Sequence, residues 1–317
     1  MRLFITGGAG YIGSHMVQLA HQAGHEIITL DNLSTGHRDS VLYGAFELCD
    51  IMDTKKLSEL FAEYKPDAVL HFAAASQVGE SMLDPHKYYQ NNVSGTLSLL
   101  KSMIDNSCKK LIFSSTAAIF GKVQYLPIDE NHPKRPVNPY GTSKLMAEKL
   151  LRDFDSAHGL RYVALRYFNA AGHDRNGVLK ERHDPETHLL PIIMEAAKGI
   201  RRSVNIFGTD YKTYDGTCIR DYVHVNDLAL VHLKALEYIN KEDSLSAEFN
   251  LGNGKGYSVK EVIERVKYFT KVDFDVEEKP RRKGDPPVLV ASSEKVFREL
   301  GLETRFMDLD EIIKTLL

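Results

Sequence analysis

Short apolar runs alternate with segments of helical period through roughly the first 170 residues. Met1-Arg-Leu-Phe-Ile-Thr6 reads as a short buried strand, and Ser14 to Ala23 repeats apolar residues at Met16, Val17, Leu19 and Ala20, the spacing of one helix face. Further strands are expected at Glu26–Leu30, Phe46–Cys49, Ala68–Phe72, Lys110 to Ser114 and Arg161–Arg166. Between them, helices are expected near Thr54 to Glu63, as one long element from Pro85 to Asn106, and from Tyr140 to about His158. Such alternation predicts an α/β fold with a doubly wound parallel sheet covered by helices on both faces. Past Gly172 the pattern thins, and glycines and prolines punctuate shorter elements, which predicts a smaller C-terminal α+β region.

Composition narrows the classes without choosing among them. The chain has 317 residues, 43% of them hydrophobic and 26% charged, ordinary values for a globular protein with a sizeable core. Its net charge of −3 implies no general attraction to nucleic acid or membranes. No apolar stretch reaches the ~18 residues of a membrane span, and no signal peptide is read before the first strand. The three cysteines, Cys49, Cys108 and Cys218, are far apart and outside any metal-ligand spacing, so a reducing, cytoplasmic setting is expected. Glu181-Arg-His183-Asp reads as a solvated loop, and no metal is expected.

Chemistry enters at the first turn. Gly7, Gly10 and Gly13 follow the first strand at once and open the first helix, the context a dinucleotide fingerprint requires. Glycines there permit a tight turn, close approach of backbone N–H groups to a pyrophosphate, and close packing of helix on strand. The helix N-terminus adds partial positive charge. The second strand runs into Asp31, whose carboxylate suits the two ribose hydroxyls of NAD and would repel a 2′-phosphate. A Rossmann-type NAD-binding domain is therefore expected over residues 1–172, with some later segments returning to it, and a mainly substrate-binding region over 173–317.

Tyr140 precedes Lys144 by one helical turn, so the two side chains share a face. An ammonium beside a phenol favours the phenolate, which suits a base. Thr116, ending the strand-like run from Leu111, could share a hydrogen bond to a substrate alcohol or carbonyl. Alone, the pair reads more simply as a tyrosine at a core edge beside a solvated lysine.

Taken together, several strings resemble the extended short-chain dehydrogenase/reductases, and among them the nucleotide-sugar 4-epimerases acting on UDP-glucose and UDP-galactose. They are Thr-Gly-Gly-Ala-Gly-Tyr-Ile-Gly-Ser-His at 6–15, Val-Gly-Glu-Ser at 78–81 and Asn-Asn-Val-Ser-Gly-Thr at 91–96. Others are Pro-Tyr-Gly-Thr-Ser-Lys at 139–144, Arg-Tyr-Phe-Asn at 166–169, Arg-Asp-Tyr-Val-His-Val at 220–225 and Arg-Arg-Lys-Gly-Asp at 281–285. The resemblance implies that Tyr140 is the acid/base on the sugar 4-hydroxyl, with Thr116 as its partner and Lys144 on the nicotinamide ribose. It implies that NAD is held tightly by Gly7, Gly10, Tyr11, Ile12, Gly13, Asp31, Asn32, Asp50 and Ile51. Phe72, Ala73, Ala74, Ser76, Asn91, Tyr167 and Phe168 would complete that contact. For the UDP-sugar it implies Arg220 and Arg282 on the diphosphate, Asp285 on the ribose, and Asn169 near the sugar and diphosphate. His188, Leu189, Asn205 and Phe207 would lie by the uridine. A homodimer built from the helices near 85–106 and 138–158 is also implied.

Departures from the family pattern bear on specificity. Thr116 replaces a serine common at that position, and Ser76 stands where some members have a lysine on NAD. Leu289 stands near a bulky tyrosine of some members, which predicts a wider sugar pocket open to N-acetylated sugars. Thr116 is followed by Ala117-Ala118 rather than the acidic pair a 4,6-dehydratase needs, so elimination is disfavoured. A 4-epimerase of another nucleotide sugar, such as UDP-glucuronate, and a catalytically silent NAD-binding sensor or scaffold remain the competing readings.

Overall fold

The computed structural model describes residues 1–174, 176–282, 285–302 and 306–317; Lys283 and Gly284 of the 281–285 string lie outside them. Strands β1 (Arg2–Thr6), β2 (Glu26–Asp31), β3 (Ala45–Leu48), β4 (Ala68–His71), β5 (Lys110–Thr116) and β6 (Arg161–Tyr167) join the strand Ala247–Leu251 in one parallel sheet. Its order is Ala247–Leu251, β6, β5, β4, β1, β2, β3.

The period-two geometry of a strand sends alternate side chains to opposite faces, and the burial follows it. Leu3, Ile5, Leu70, Ile112, Val163 and Leu165 face helix α1 (Tyr11–Gln22) and the helix Val225–Ile239, which bring Met16, Val17, Leu228 and Val231. Phe4, Ile28, Val69, Leu111, Phe113 and Ala164 face the other way, against α2 (Thr54–Tyr64), α5 (Gly95–Asp105) and α6 (Pro139–His158). Both faces are covered, so these strands read as nearly continuous apolar runs. A further core joins the helices Leu189–Ala197, Val259–Thr270 and Leu309–Lys314 to the strand Ser203–Phe207.

The long helix expected from Pro85 to Asn106 is not one regular element. A short helix α3 (Val78–Leu83) precedes it, α4 (Pro85–Tyr89) follows with Asp84 as its cap, and a π-helical turn at Gln90–Ser94 leads into α5. The apolar period does not register that turn because the chain stays helical through it; wide turns of this kind often sit at functional sites. Here the turn carries Asn92, which is buried and binds the backbone of Ala75 through both ends of its amide, at 2.8 and 2.9 Å. Its Nδ2 also donates to Ser143 Oγ on α6 at 3.0 Å.

Candidate active site

Each chemically suggestive residue of the first half follows a strand end. Thr6 is in register with both Leu30 and His71, and Thr116 with Tyr167, so these ends form one edge of the sheet. The glycine turn begins with Gly7 at φ +73°, a left-handed conformation, where an added Cβ would stand 2.5 Å from the backbone nitrogen of Ala73. At Gly13 an added Cβ would meet the carbonyl oxygen of Gly7 at 2.2 Å. Both positions therefore need glycine for close backbone approach. Gly10 caps α1 without any side-chain bond, which leaves the first-turn amides around Tyr11 and Ile12 facing the turn. Tyr11 Oη donates to the Gly172 carbonyl at 2.6 Å.

Asp31 lies beside that turn, almost wholly buried, and accepts from the backbone N–H groups of Ala9 (3.0 Å) and Leu33 (2.8 Å). Burial raises its pKa, and those two hydrogen bonds oppose the rise. Asn32 donates to Asp50 at 2.9 Å, and Ile51 is buried beside Gly95. The Phe72 and Ala73 amides both donate to the Thr6 carbonyl, which sets the 72–76 turn against the glycine turn; Ala74 is half-buried in it and Ser76 is exposed. Asn91 donates to Asn92 at 3.0 Å. The turn thus depends on Asn92, a residue the sequence reading passed over in favour of its neighbour.

The tyrosine–lysine pair sits in the first turns of α6, whose N-cap Asn138 accepts from the Gly141 amide at 2.8 Å, with Pro139 at the start. The Thr116 side chain lies near enough to the Tyr140 phenol to favour the phenolate. Lys144 Nζ is buried, donates to the Ser114 carbonyl at 2.9 Å and lies 4.8 Å from the Phe113 ring centre. The lysine is therefore not solvated, contrary to the simpler reading of the pair. The expected lowering of the phenol does not hold in this structure: burial raises Tyr140, and the nearby Thr116 side chain opposes that. Burial also brings Lys144 down to about 7, with Glu148 working the other way, so the ammonium is itself weakened. Tyr167 bonds to Ser114 on the neighbouring strand.

Behind this pair lies a group that local patterns could not reveal. Glu148, one turn beyond Lys144, is fully buried and takes Arg166 Nε and Nη2 of β6, each at 2.8 Å, and Ser115 Oγ of β5 at 2.7 Å. It holds α6 in register on the two strands that carry Thr116 and Tyr167.

A second cluster gathers the C-terminal residues. Arg220 donates to the Pro286 carbonyl at 2.9 Å and lies 3.5 Å from Asp285. Arg282 binds Asp285 at 2.9 Å, and its guanidinium stands 4.9 Å from the Phe207 ring centre. The two arginines, separated by some sixty residues, are thus neighbours rather than unrelated surface charges. Asn205 is exposed on the same strand as Phe207. Asn169 donates to the Asp221 carbonyl at 2.7 Å, and Phe168 packs with Leu289 against Ala117, Ile119, Phe120 and Ile128. Asp221, also overlooked, is buried and accepts from Asn253, Gly254 and Ala291, tying this region to the sheet; burial raises its pKa to about 6 against those bonds.

His188 caps the helix that Leu189 begins, and its ring is engaged away from the arginine cluster, with Glu181 and Glu186 at 2.9 and 2.8 Å. In the Glu181-Arg-His183-Asp stretch, expected as a solvated loop, Arg182 and Asp184 are exposed, but the Glu181 side chain is only 2% exposed. Burial disfavours both charges, but mutual hydrogen bonding outweighs it, holding Glu181 at about 2 and raising His188 to about 10. Arg182 grips Asp39 through two bonds of 2.8 and 3.0 Å, and His37 donates to the Arg182 carbonyl, so this loop lies over the glycine turn.

The glycine cradle, the buried Asp31 and the free first turn of α1 fit a dinucleotide without a 2′-phosphate. Residues 3–252 match the NAD dependent epimerase/dehydratase family. A UDP-glucose 4-epimerase of Halalkalibacterium halodurans is 50% identical over 99% of this chain and 94% of its own. The crystal structure of UDP-glucose 4-epimerase from Brucella ovis in complex with NAD is 47% identical, with a TM-score of 0.96 over 99% of this chain and 96% of that one. The UDP-Glc/GlcNAc 4-epimerase of Campylobacter jejuni is 42% identical, with a TM-score of 0.86 over 99% and 97%. Similarity of this extent, along nearly the whole chain, shows that the protein belongs to the NAD-dependent epimerase/dehydratase family, among the UDP-glucose 4-epimerases.

Proposed function

We propose that the protein interconverts UDP-glucose and UDP-galactose by transient oxidation at C4 of the sugar. The observation that carries the reading is the juxtaposition of Tyr140 with Thr116 and a buried Lys144, at the sheet edge that also bears the glycine turn. NAD, when bound, supplies the reversible two-electron chemistry at C4. Gly7, Gly10, Tyr11, Ile12 and Gly13 hold its diphosphate, with Asp31 on the adenosine ribose. Asn32, Asp50, Ile51, Phe72, Ala73, Ala74, Ser76, Asn91, Tyr167 and Phe168 line its remaining length.

Tyr140 takes the proton of the sugar 4-hydroxyl and returns it when the inverted alcohol forms, while Thr116 fixes the oxygen by hydrogen bonding. Lys144 orients the ribose and supplies the positive charge nearest the phenol. Arg220 and Arg282 clamp the diphosphate, since a guanidinium offers paired donors to phosphate oxygens. Asp285 takes the uridine ribose; Asn169, Leu189, Asn205 and Phe207 complete the nucleotide-sugar site, and His188 contributes only as the residue that starts the Leu189 helix. Incubation with UDP-glucose, followed by proton NMR, tests the assignment: the UDP-galactose anomeric signal should grow. A 4-keto-6-deoxy product, or none even with NAD added, would overturn it.

Leu289 favours a wider substrate range. It pairs with Arg220 and packs against the cluster that includes Ala117, the residue next to Thr116. We expect UDP-N-acetylglucosamine to be epimerised as well, and Leu289→Tyr to depress that activity at least tenfold relative to UDP-glucose, as steric exclusion does. Kinetics on both sugars decide it; a wild-type protein inert toward the N-acetyl sugar sinks the idea.

The first turn of α6 is close-packed on the catalytic hydroxyl. At Gly141 an added Cβ would stand 2.4 Å from the Ala118 carbonyl. Gly141→Ala should therefore push Tyr140 away from Thr116 and lower kcat about 10- to 100-fold, the scale set by sub-ångström to ångström misplacement. A kcat within twofold of wild type would show that this contact does not position the pair.

The protein acts as a homodimer through α5 and α6, whose outer faces present the exposed Leu97 and Met146. Leu97→Asp should convert a dimer to a monomer in light scattering. A mass unchanged by the substitution places the interface elsewhere. The three free cysteines suit the cytoplasm.

A further inference from the structure

The loop over the glycine turn holds a donor set that the epimerase chemistry does not use. Glu181, His183, Glu186 and His188 each offer one ligand atom, and the four atoms lie within 4.8 Å of one another. Glu181 Oε1 is 3.1 Å from His183 Nδ1 and 2.9 Å from His188 Nδ1, which in turn is 2.8 Å from Glu186 Oε1. Four ligands at ~2.0–2.2 Å from a tetrahedral ion stand roughly 3.3–3.6 Å apart. The three hydrogen-bonded pairs would open by a few tenths of an ångström and the wider pairs, up to 4.8 Å apart, would draw inward to admit one.

Charge makes the same demand. The Glu181 and Glu186 side chains are 2% and 7% exposed, so two carboxylates are withdrawn from water beside the first turn of α1. Their negative charge reaches the Tyr11 phenol, whose pKa is raised by burial and then by these two groups. A dinucleotide diphosphate bound at the same helix end would be repelled by them. A divalent cation held by two carboxylates and two neutral imidazoles gives a site of zero net charge and removes that repulsion.

We propose that Glu181, His183, Glu186 and His188 form a divalent transition-metal site of the zinc class, which fixes the 181–188 loop over the glycine turn. Imidazole nitrogens select against magnesium and calcium, which prefer all-oxygen shells. The half-exposed His188 leaves an entry path from solvent. The ion has no part in the sugar chemistry. Its work is structural, through the loop that also carries the Arg182–Asp39 and His37 contacts.

The test uses the full chain, purified without a metal-affinity step, stripped with a chelator and titrated with zinc against a chromophoric competitor. One zinc per chain is expected, with a raised Tm, and cobalt in its place should give the visible bands of a tetrahedral site. His183→Ala and Glu186→Gln, both at partly exposed or loop positions, should each weaken zinc at least tenfold and abolish the cobalt bands. Zinc uptake of equal stoichiometry and affinity in wild type and both variants would show binding elsewhere and overturn the proposal. So would a wild-type protein that takes up no zinc.

Discussion

Tyr140→Phe is expected to lower kcat for UDP-glucose about 10³-fold while leaving UDP binding within a factor of a few. The substitution removes one oxygen from a residue whose ring stays in place against Tyr88, 6.3 Å away between ring centres. What is lost is the group that moves the proton, and general acid–base catalysis is worth roughly 10²–10⁴-fold. The phenol is pushed up by burial and steadied by Thr116, so it reaches the reactive form only with positive charge beside it. Lys144, brought down to about 7 by burial, holds that charge in a state poised to change near neutrality. Steady-state kinetics together with UDP titration separate the two quantities. A kcat unchanged in Tyr140→Phe would remove Tyr140 from the chemistry; a parallel collapse of UDP binding would mean the variant had disturbed the site at large.

Glu148→Ala is the substitution expected to cost the fold most. It would leave Arg166, whose side chain is fully buried, without its two 2.8 Å bonds. Breaking a buried ion pair from one side costs about 3–5 kcal/mol, because the remaining charge is stranded out of water. Glu248, 3.5 Å from Arg166, compensates in part, while Arg166 Nη1 already has no hydrogen-bond partner among the described residues. Urea unfolding should show the loss, and Glu148→Met combined with Arg166→Met should recover much of it, since the pair is removed together. Equal destabilisation by the single and double variants would show that packing volume, and not stranded charge, governs this position. Because Glu148 sits one turn beyond Lys144, catalysis should fall in the single variant as well.

The amino-acid sequence by itself determined what depends on neighbours along the chain. A buried strand, a glycine turn and a helix can be read from residues 1–23 because each is a local pattern, and Asp31 follows from the end of the next strand. The spacing of Tyr140 and Lys144 places both on one helix face for the same reason. The parallel sheet follows from alternation alone, and the residue strings carried the family.

Tertiary structure decided what depends on groups far apart in the chain. Arg220 and Arg282 were joined only through the family resemblance, and folding sets both beside Asp285. Glu148 and Arg166 gave no signal, since a Glu on a helix and an Arg in a strand look ordinary until both are buried face to face. The π-helical turn at Gln90–Ser94 was invisible to periodicity, although it points Asn92 at the 72–76 turn. Most tellingly, the spacing of Tyr140 and Lys144 suggested a lowered phenol, and the loop at 181–184 gave no sign that the Glu181 side chain is buried. Both points turn on burial: the cost of desolvating a charge depends on how completely the whole fold excludes water, a quantity no local window of sequence contains.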